Sequence, residues 1–224
     1  MIMKKILAYS LLSLLALQLG AQQSETFKKK GKTLVFINED PELNPKVQAG
    51  LVRTFFKVYP KLVKTFNRNA VKDVEVRIDT AYTGVAYAHN GKITISSEWL
   101  RKKPGDLDVI THETMHLVQA YPSGSGPGWI TEGIADYVRY IYGVDNKGAG
   151  WSLPEYKEGQ HYTDSYRITA RFFFWLSLNY KKGMLSKLDK NMRNATYNDA
   201  FWQKETGYDL ETLWQQYTEN PDIS

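Results

Sequence analysis

The sequence predicts an α+β fold, in which a small mixed sheet and an active-site helix precede a helical C-terminal lobe. Short β-branched runs lie in the first half, and helical spacing of apolar residues dominates from about residue 106. The 224 residues are 42% hydrophobic and 13% aromatic, which suffices for a sizeable core. We expect one domain over residues 22–224, with an α+β lobe at about 31–120 and a helical lobe at about 121–224.

The strands are predicted from residue type and alternation. Residues 33–38 (TLVFIN) and 74–79 (VEVRID) are rich in β-branched side chains. Residues 85–88 and 93–96 flank an Asn-Gly pair at 90–91, which is a strong hairpin signal between apolar runs. We therefore expect three or four strands. One strand of this hairpin is expected at a sheet edge, where an extended peptide can add by main-chain hydrogen bonds. The alternative is a hairpin with a structural role alone.

The helices are predicted from apolar residues at three- and four-residue spacing. Pro60 is expected to kink or split the first one, and Asp106 is expected to cap the second. A Gly/Pro/Ser loop at 121–128 follows, the third helix ends at Gly143, and residues 144–164 are expected to be irregular. The predicted helices lie at about 44–67, 107–121, 129–142, 165–180, 183–193, 197–203 and 209–218.

The first 21 residues have the layout of a secretory signal peptide. Lys4 and Lys5 precede an apolar run at 6–19, and small residues end the segment at Ala21. The run is short for a membrane span, so cleavage after Ala21 is favoured over a retained anchor. We expect a secreted or periplasmic protein without stable membrane insertion. The lysines at 28–30 are interpreted as a solvated leader rather than a nucleic-acid-binding arm.

Composition excludes several functional classes. The chain has no cysteine, which rules out disulfides, thiolate metal sites, iron–sulfur clusters and cysteine nucleophiles. We find no Gly-rich phosphate loop and no internal repeat. The formal charge of +5 falls to +3 when Lys4 and Lys5 are removed with the predicted signal peptide. This modest charge predicts no nucleic-acid partner, and we expect a monomer.

Residues 112–116 (HETMH) form an HExxH motif inside the predicted helix at 107–121. Two histidines four residues apart share a helix face, so both imidazoles can reach one metal ion. Glu113 lies beside the first histidine, where a general base can contact a metal-bound water. We expect His112 and His116 to bind Zn²⁺ and Glu113 to be the catalytic base.

A catalytic zinc site needs a third protein ligand. The metzincin pattern requires Gly and His three and six residues beyond His116, where this chain has Gln119 and Pro122. Glu132 is the leading candidate instead, because the helix dipole favours a carboxylate near a helix start. Gly133 is small and is expected to let this helix pack closely against the HExxH helix.

Asp136 lies one turn after Glu132 on the same helix face. Metal-bound imidazoles usually donate their other N–H to a carboxylate or a carbonyl. Asp136 is therefore expected to orient His112 or His116 by accepting a hydrogen bond from the ring nitrogen that does not bind the metal. The alternative is an exchange of roles, with Asp136 as the ligand and Glu132 as the partner.

The motif and its surroundings resemble the basic secretory protein family of plants and bacteria, which are gluzincin-like zinc metallopeptidases. The resemblance rests on HETMH at 112–116, EGIADYVR at 132–139, Trp151, YRITARF at 166–172 and LWQQY at 213–217. It covers about residues 33–218. It implies a zincin-type fold, a secreted zinc-dependent peptidase, Glu113 as the base, and His112, His116 and Glu132 as ligands. The segment between His116 and Glu132 is shorter than in the thermolysin-like and aminopeptidase groups.

The expected reaction is hydrolysis of peptide or protein substrates by zinc-activated water. The oxyanion that develops needs a second donor, and Tyr166 is our first choice, with His161 and Tyr137 as alternatives. We favour an endopeptidase. The other hypotheses are a secreted metal-binding or defence-like protein with little hydrolysis, and an aminopeptidase, which would need a site for the substrate's α-amino group.

Overall fold

The strands form one mixed sheet in the computed structural model, which describes residues 23–224. The strands are β1 (Gln23–Lys29), β2 (Lys32–Asn38), β3 (Asp73–Asp79), β4 (Ala86–His89) and β5 (Lys92–Ser96). Their order is β1-β2-β3-β5-β4, with antiparallel pairs at both ends and parallel pairs between them. β4 is therefore an edge strand, as the sequence predicts. The predicted signal peptide lies outside the described residues.

One long helix lies between β2 and β3, and the other helices follow β5. The helices are α1 (Pro45–Thr65), α2 (Ser97–Lys102), α3 (Val109–Gln119), α4 (Gly128–Tyr142), α5 (Tyr166–Asn179), α6 (Met184–Arg193), α7 (Ala200–Thr206) and α8 (Leu210–Glu219). The predicted α+β class is confirmed, and only the short α2 has no counterpart among the predicted helices. No helix within residues 23–224 is long and apolar enough to cross a membrane.

β1 corrects two expectations drawn from the sequence. The sheet has a fifth strand within the described residues, and the lysines at 28–30 belong to a hairpin rather than to a leader. Lys30 and Gly31 both have positive φ, as a two-residue hairpin turn requires. β1 is polar and almost fully exposed, so its sequence carries no apolar alternation. Charged side chains of this kind are common on edge strands, where they discourage pairing with other chains.

α1 runs unbroken through Pro60, so the helix is not split there. The fully buried Tyr59 and Leu62 flank the proline and belong to the hydrophobic core. The Tyr59 hydroxyl also donates to the carbonyl of Val71, just before β3, at 2.8 Å. Burial of this face outweighs the loss of one backbone hydrogen bond at the proline.

The start of α3 differs from the prediction, because Asp106 does not cap it. The N-cap position is Asp108, whose carboxylate accepts the backbone N–H groups of Val144 and Asp145 at 2.6–2.8 Å. Asp106 accepts hydrogen bonds from Trp99 Nε1 and from the Arg139 guanidinium. Both carboxylates thus link the start of α3 to the far end of α4, rather than capping a helix.

α3 is the central helix of the protein. Every residue of α3 except His116 is buried, and the helix contacts α1, α4 and β4. Gly133 does not serve the contact of α4 with α3, as we had expected. A Cβ at Gly133 would lie 2.3 Å from Cγ2 of Thr169 on α5, so the glycine permits close packing of α4 on α5.

We predict that Gly133→Ala destabilises the protein by about 1–3 kcal/mol, because the new methyl group overlaps Thr169. Alanine is the better helix former, so helix propensity alone predicts the opposite sign. Thr169→Ser removes Cγ2 and keeps the hydroxyl that donates to Tyr162, so it should partly rescue Gly133→Ala. Thermal and urea unfolding measure both effects.

Gly128→Ala is the matched control, because it lies on the same helix with no atom within 4 Å of its added Cβ. It should leave the free energy of unfolding within about 0.5 kcal/mol of wild type. Equal stability of Gly133→Ala and Gly128→Ala would contradict the close α4–α5 contact.

Candidate metal centre

α3 and α4 bring three metal-binding side chains to one point. His112 and His116 lie one turn apart on α3, and Glu132 lies in the second turn of α4. The Nε2 atoms of the two histidines are 3.0 Å apart. Glu132 Oε2 lies 3.3 Å from Nε2 of His112 and 3.5 Å from Nε2 of His116. The expected ligand set is thus brought together, with the longer Glu132 side chain in the ligand position.

These spacings fit a tetrahedral zinc ion. Ligand atoms at 2.0–2.1 Å from zinc are separated from one another by about 3.3 Å in a tetrahedron. The three observed separations lie on either side of that value, at 3.0–3.5 Å. Three protein ligands leave a fourth position open, which is the pattern of a catalytic rather than a structural zinc site.

The electrostatics of the site also favour a cation. Burial lowers the pKa of His112, but hydrogen bonds to Asp136 and Glu132 outweigh burial and raise it to about 10. Burial of Glu132 works against ionisation, yet hydrogen bonds from His112 and His116 hold the pKa of its carboxyl well below its usual range. The surroundings of the His112 imidazole therefore stabilise positive charge, whether a proton or a metal ion supplies it.

Each histidine has a hydrogen-bond partner on the side away from Glu132. His112 Nδ1 lies 2.7 Å from Asp136 Oδ1, so the structure places Asp136 behind the ring and not in the ligand position. His116 Nδ1 lies 2.7 Å from Gln119 Oε1, and Gln119 Nε2 donates to the carbonyl of Thr131 at 2.9 Å. Gln119 therefore joins the second histidine to the residue that precedes Glu132.

Gln119 is the site residue that sequence reasoning missed. Its spacing of three residues from His116 places both on one face of α3, and that spacing could have indicated it. The bond to the Thr131 carbonyl depends on how α3 and α4 pack, which no local pattern in the sequence reveals.

Glu113 lies beside the candidate ligands and lines the same cleft. Its side chain is buried, and Oε2 has no hydrogen-bond partner within the part of the chain that the structure describes. Burial raises the pKa of Glu113, while the neighbouring imidazoles lower it to a smaller extent. A buried carboxylate oxygen without a partner is costly, so a water or substrate atom in the cleft is its natural partner.

Tyr166 lies over the site from the start of α5. Its ring is nearly parallel to the His112 imidazole, with centroids 6.3 Å apart. The negative charge of Glu132 is the main cause that raises the pKa of Tyr166, and burial contributes further. The other two candidate donors lie elsewhere. His161 packs on Trp214, and Tyr137 lines a separate, smaller cavity.

The backbone that presents Tyr166 is strained. Tyr166 has φ of 49° and Ser165 has φ of 69° with ψ of −179°. Neither conformation is common for a residue with a side chain, and each costs roughly 1–3 kcal/mol. Strain of this kind persists only where the surrounding structure holds it, and it is often found at functional sites.

The candidate metal centre lies in a cleft of about 1270 Å³. Val85 and β4 form one wall, and Tyr166 and Arg167 at the start of α5 also line the cleft. Within residues 23–224, no further strand pairs with the β4 edge. Its free backbone groups can therefore receive an extended chain.

The fold and the site together define a zincin-type metallopeptidase architecture. The family model named BSP, described as "Peptidase of plants and bacteria", matches residues 33–217. The chain therefore belongs to this peptidase family, and the resemblance drawn from the sequence is confirmed. A search among curated proteins gives no match to the chain.

Solved structures of zinc peptidases share the fold at low sequence identity. Aminopeptidase A of Legionella pneumophila, in complex with aspartic acid, is 15% identical with a TM-score of 0.58, covering 87% of this chain and 27% of that one. An M1 zinc metallopeptidase of Deinococcus radiodurans is 12% identical with a TM-score of 0.52, covering 91% and 52%. An aminopeptidase N family protein of Idiomarina loihiensis is 11% identical with a TM-score of 0.54, covering 88% and 46%. The chain thus spans about a quarter to a half of their lengths.

We predict that Asp136→Asn weakens zinc binding about 10–100-fold, because His112 loses the carboxylate that fixes its tautomer and ring orientation. Competition with a chromogenic chelator at neutral pH measures the dissociation constant. Asp73→Asn is the control, since Asp73 is exposed and forms no ion pair among the described residues. Wild-type affinity in Asp136→Asn would contradict the orienting role.

Proposed function

We propose that the protein is a secreted zinc-dependent endopeptidase. The observation that carries the proposal is the spacing of the three ligand atoms of His112, His116 and Glu132, with the unpartnered carboxylate oxygen of Glu113 in the same cleft. Zinc, when bound, supplies Lewis-acid polarisation of a water and of the scissile carbonyl. Secretion is supported by the residue pattern of positions 1–21.

Glu113 is the proposed general base. Its buried Oε2 takes the proton from the attacking water, since no protein group of the described chain competes for that oxygen. The protonated carboxyl then donates the same proton to the leaving amide nitrogen. Each transfer requires only that Glu113 stay beside the ligands, and its place between His112 and His116 on the rigid, buried α3 ensures this.

Tyr166 is the proposed donor to the oxyanion that forms when water attacks the carbonyl. Three features support this role: the ring lies over His112, the side chain is more than half exposed to the cleft, and strained backbone holds it there. Asp136 and Gln119 are proposed to keep both imidazoles oriented throughout the reaction.

Endopeptidase action is favoured by the charges of the cleft. An aminopeptidase needs a free carboxylate for the substrate's ammonium group. Of the carboxylates that line the cleft, Asp106 is paired with Arg139, and Glu113, Glu132 and Asp136 belong to the metal centre. The β4 wall at 85–89 has no acidic residue. Aminopeptidase action remains the second candidate because several fold neighbours carry that name.

We predict that Glu113→Gln abolishes peptide cleavage, with a loss of about 10²–10⁴-fold or more, while the zinc content stays at the wild-type level. Glutamine preserves the shape of the side chain but cannot accept and return a proton. Cleavage of a quenched fluorescent peptide library, with zinc measured by mass spectrometry on the same samples, tests both parts. Glu158→Gln, at an exposed position, is the control for the loss of one carboxylate.

Unchanged activity in Glu113→Gln would exclude the general-base role. Acetylated and free peptides of one sequence then separate the two peptidase hypotheses. The endopeptidase proposal expects both to be cleaved at internal bonds, and cleavage of the free peptide alone, at its first bond, would favour the aminopeptidase.

A further inference from the structure

The two ends of the cleft differ, and β4 runs from one to the other. The backbone N–H of Ser96, which caps α2, donates to the carbonyl of Val85 at 3.0 Å, so the start of β4 lies beside α2. The other end of β4 leads to the turn at Asn90 and Gly91, next to Val71. We call these the α2 end and the turn end of the cleft.

A chain of contacts builds the wall at the α2 end. The carbonyl of Lys103, at the end of α2, accepts the N–H of Asp106 at 2.9 Å, and Asp106 pairs with Arg139. The Arg139 guanidinium lies over the Trp151 ring at 4.5 Å from its centroid. Arg167 then donates to the carbonyl of Ser152, the residue after Trp151, at 3.4 Å. Lys103 and Arg167 therefore line the same end.

The charges of this wall are not balanced. Arg139 is buried and neutralised by Asp106. Lys103 and Arg167 are exposed, and neither forms an ion pair with any residue of the described chain. At the turn end the cleft is lined by Val71, His89, Asn90 and Gly91, without lysine, arginine or carboxylate.

We propose that the α2 end of the cleft is a subsite for an acidic side chain of the peptide substrate, with Lys103 and Arg167 as the groups that recognise it. The inference rests on the proposed function, because it assigns a substrate class to that same site. A substrate peptide that lies along β4 would pass from the turn end, over the metal centre, to Lys103 and Arg167. A glutamate or aspartate at that end gains two favourable charge interactions, and a lysine there meets two like charges.

The test uses zinc-loaded Glu113→Gln protein and a series of labelled peptides, acetylated and amidated, that differ only in carrying Glu or Gln at successive positions. Fluorescence anisotropy measures binding. We expect the Glu peptide to bind about 3–30-fold more tightly at positions on one side of the peptide only, since each exposed charge pair contributes up to about fivefold. The preference should shrink at high salt.

Variants distinguish recognition by Lys103 and Arg167 from a general attraction between the positively charged protein and acidic peptides. The double variant Lys103→Gln, Arg167→Gln should bind Glu and Gln peptides equally. Lys61→Gln, an exposed lysine of α1 outside the cleft, should keep the wild-type preference. A Gln peptide with a free C-terminal carboxylate shows whether a terminal carboxylate can replace the acidic side chain. If that peptide bound more tightly than every Glu peptide, the assignment to a side chain would be wrong.

The outcomes for the subsite and for the peptidase are distinguishable. Preferential binding of Glu peptides supports the subsite even if wild-type protein cleaves none of them, a result that would remove only the peptidase proposal. Three results would overturn the subsite, whatever the cleavage assay shows. They are equal affinity for Glu and Gln peptides at every position, a preference for Glu that survives the double variant, and no binding of any peptide.

Discussion

The site depends on the packing of α3 against α4. His112 and His116 come from α3 and Glu132 comes from α4, so the ligand atoms meet at 3.0–3.5 Å only while the two helices keep their relative position. Two hydrogen bonds span this pair of helices on the side of the histidine rings away from Glu132. His112 Nδ1 bonds to the Asp136 carboxylate, and Gln119 Nε2 donates to the Thr131 carbonyl. The same contacts that orient the imidazoles therefore also fix the helix pair.

More distant contacts maintain this arrangement. At the start of α3, Asp106 binds Arg139 on α4, and Asp108 accepts hydrogen bonds from the backbone just beyond α4. On the far side of α4, Gly133 allows α5 to approach closely, and α5 begins with Tyr166 over the metal centre. Substitutions remote from the ligands are thus able to change the geometry of the site through α4.

Local patterns in the sequence predicted most of the residues that the structure brings together at the candidate metal centre. The helical spacing in HETMH and in EGIAD placed His112, His116, Glu132 and Asp136 on two helix faces, and the structure brings those faces together. Strand β1 escaped prediction because an exposed edge strand needs no apolar face. The true partners of Asp106, Gly133 and Gln119 were not predictable, since each lies on another element of the fold.

Metal analysis of wild-type protein and Glu132→Ala, side by side, tests the three-ligand site most directly. The account predicts about one zinc per wild-type chain and a large loss of zinc in the variant, because two imidazoles alone bind the ion weakly. Equal zinc in both proteins would show that another residue is the third ligand. Wild-type protein that takes up no zinc, even when the metal is added back, would contradict the metal centre itself.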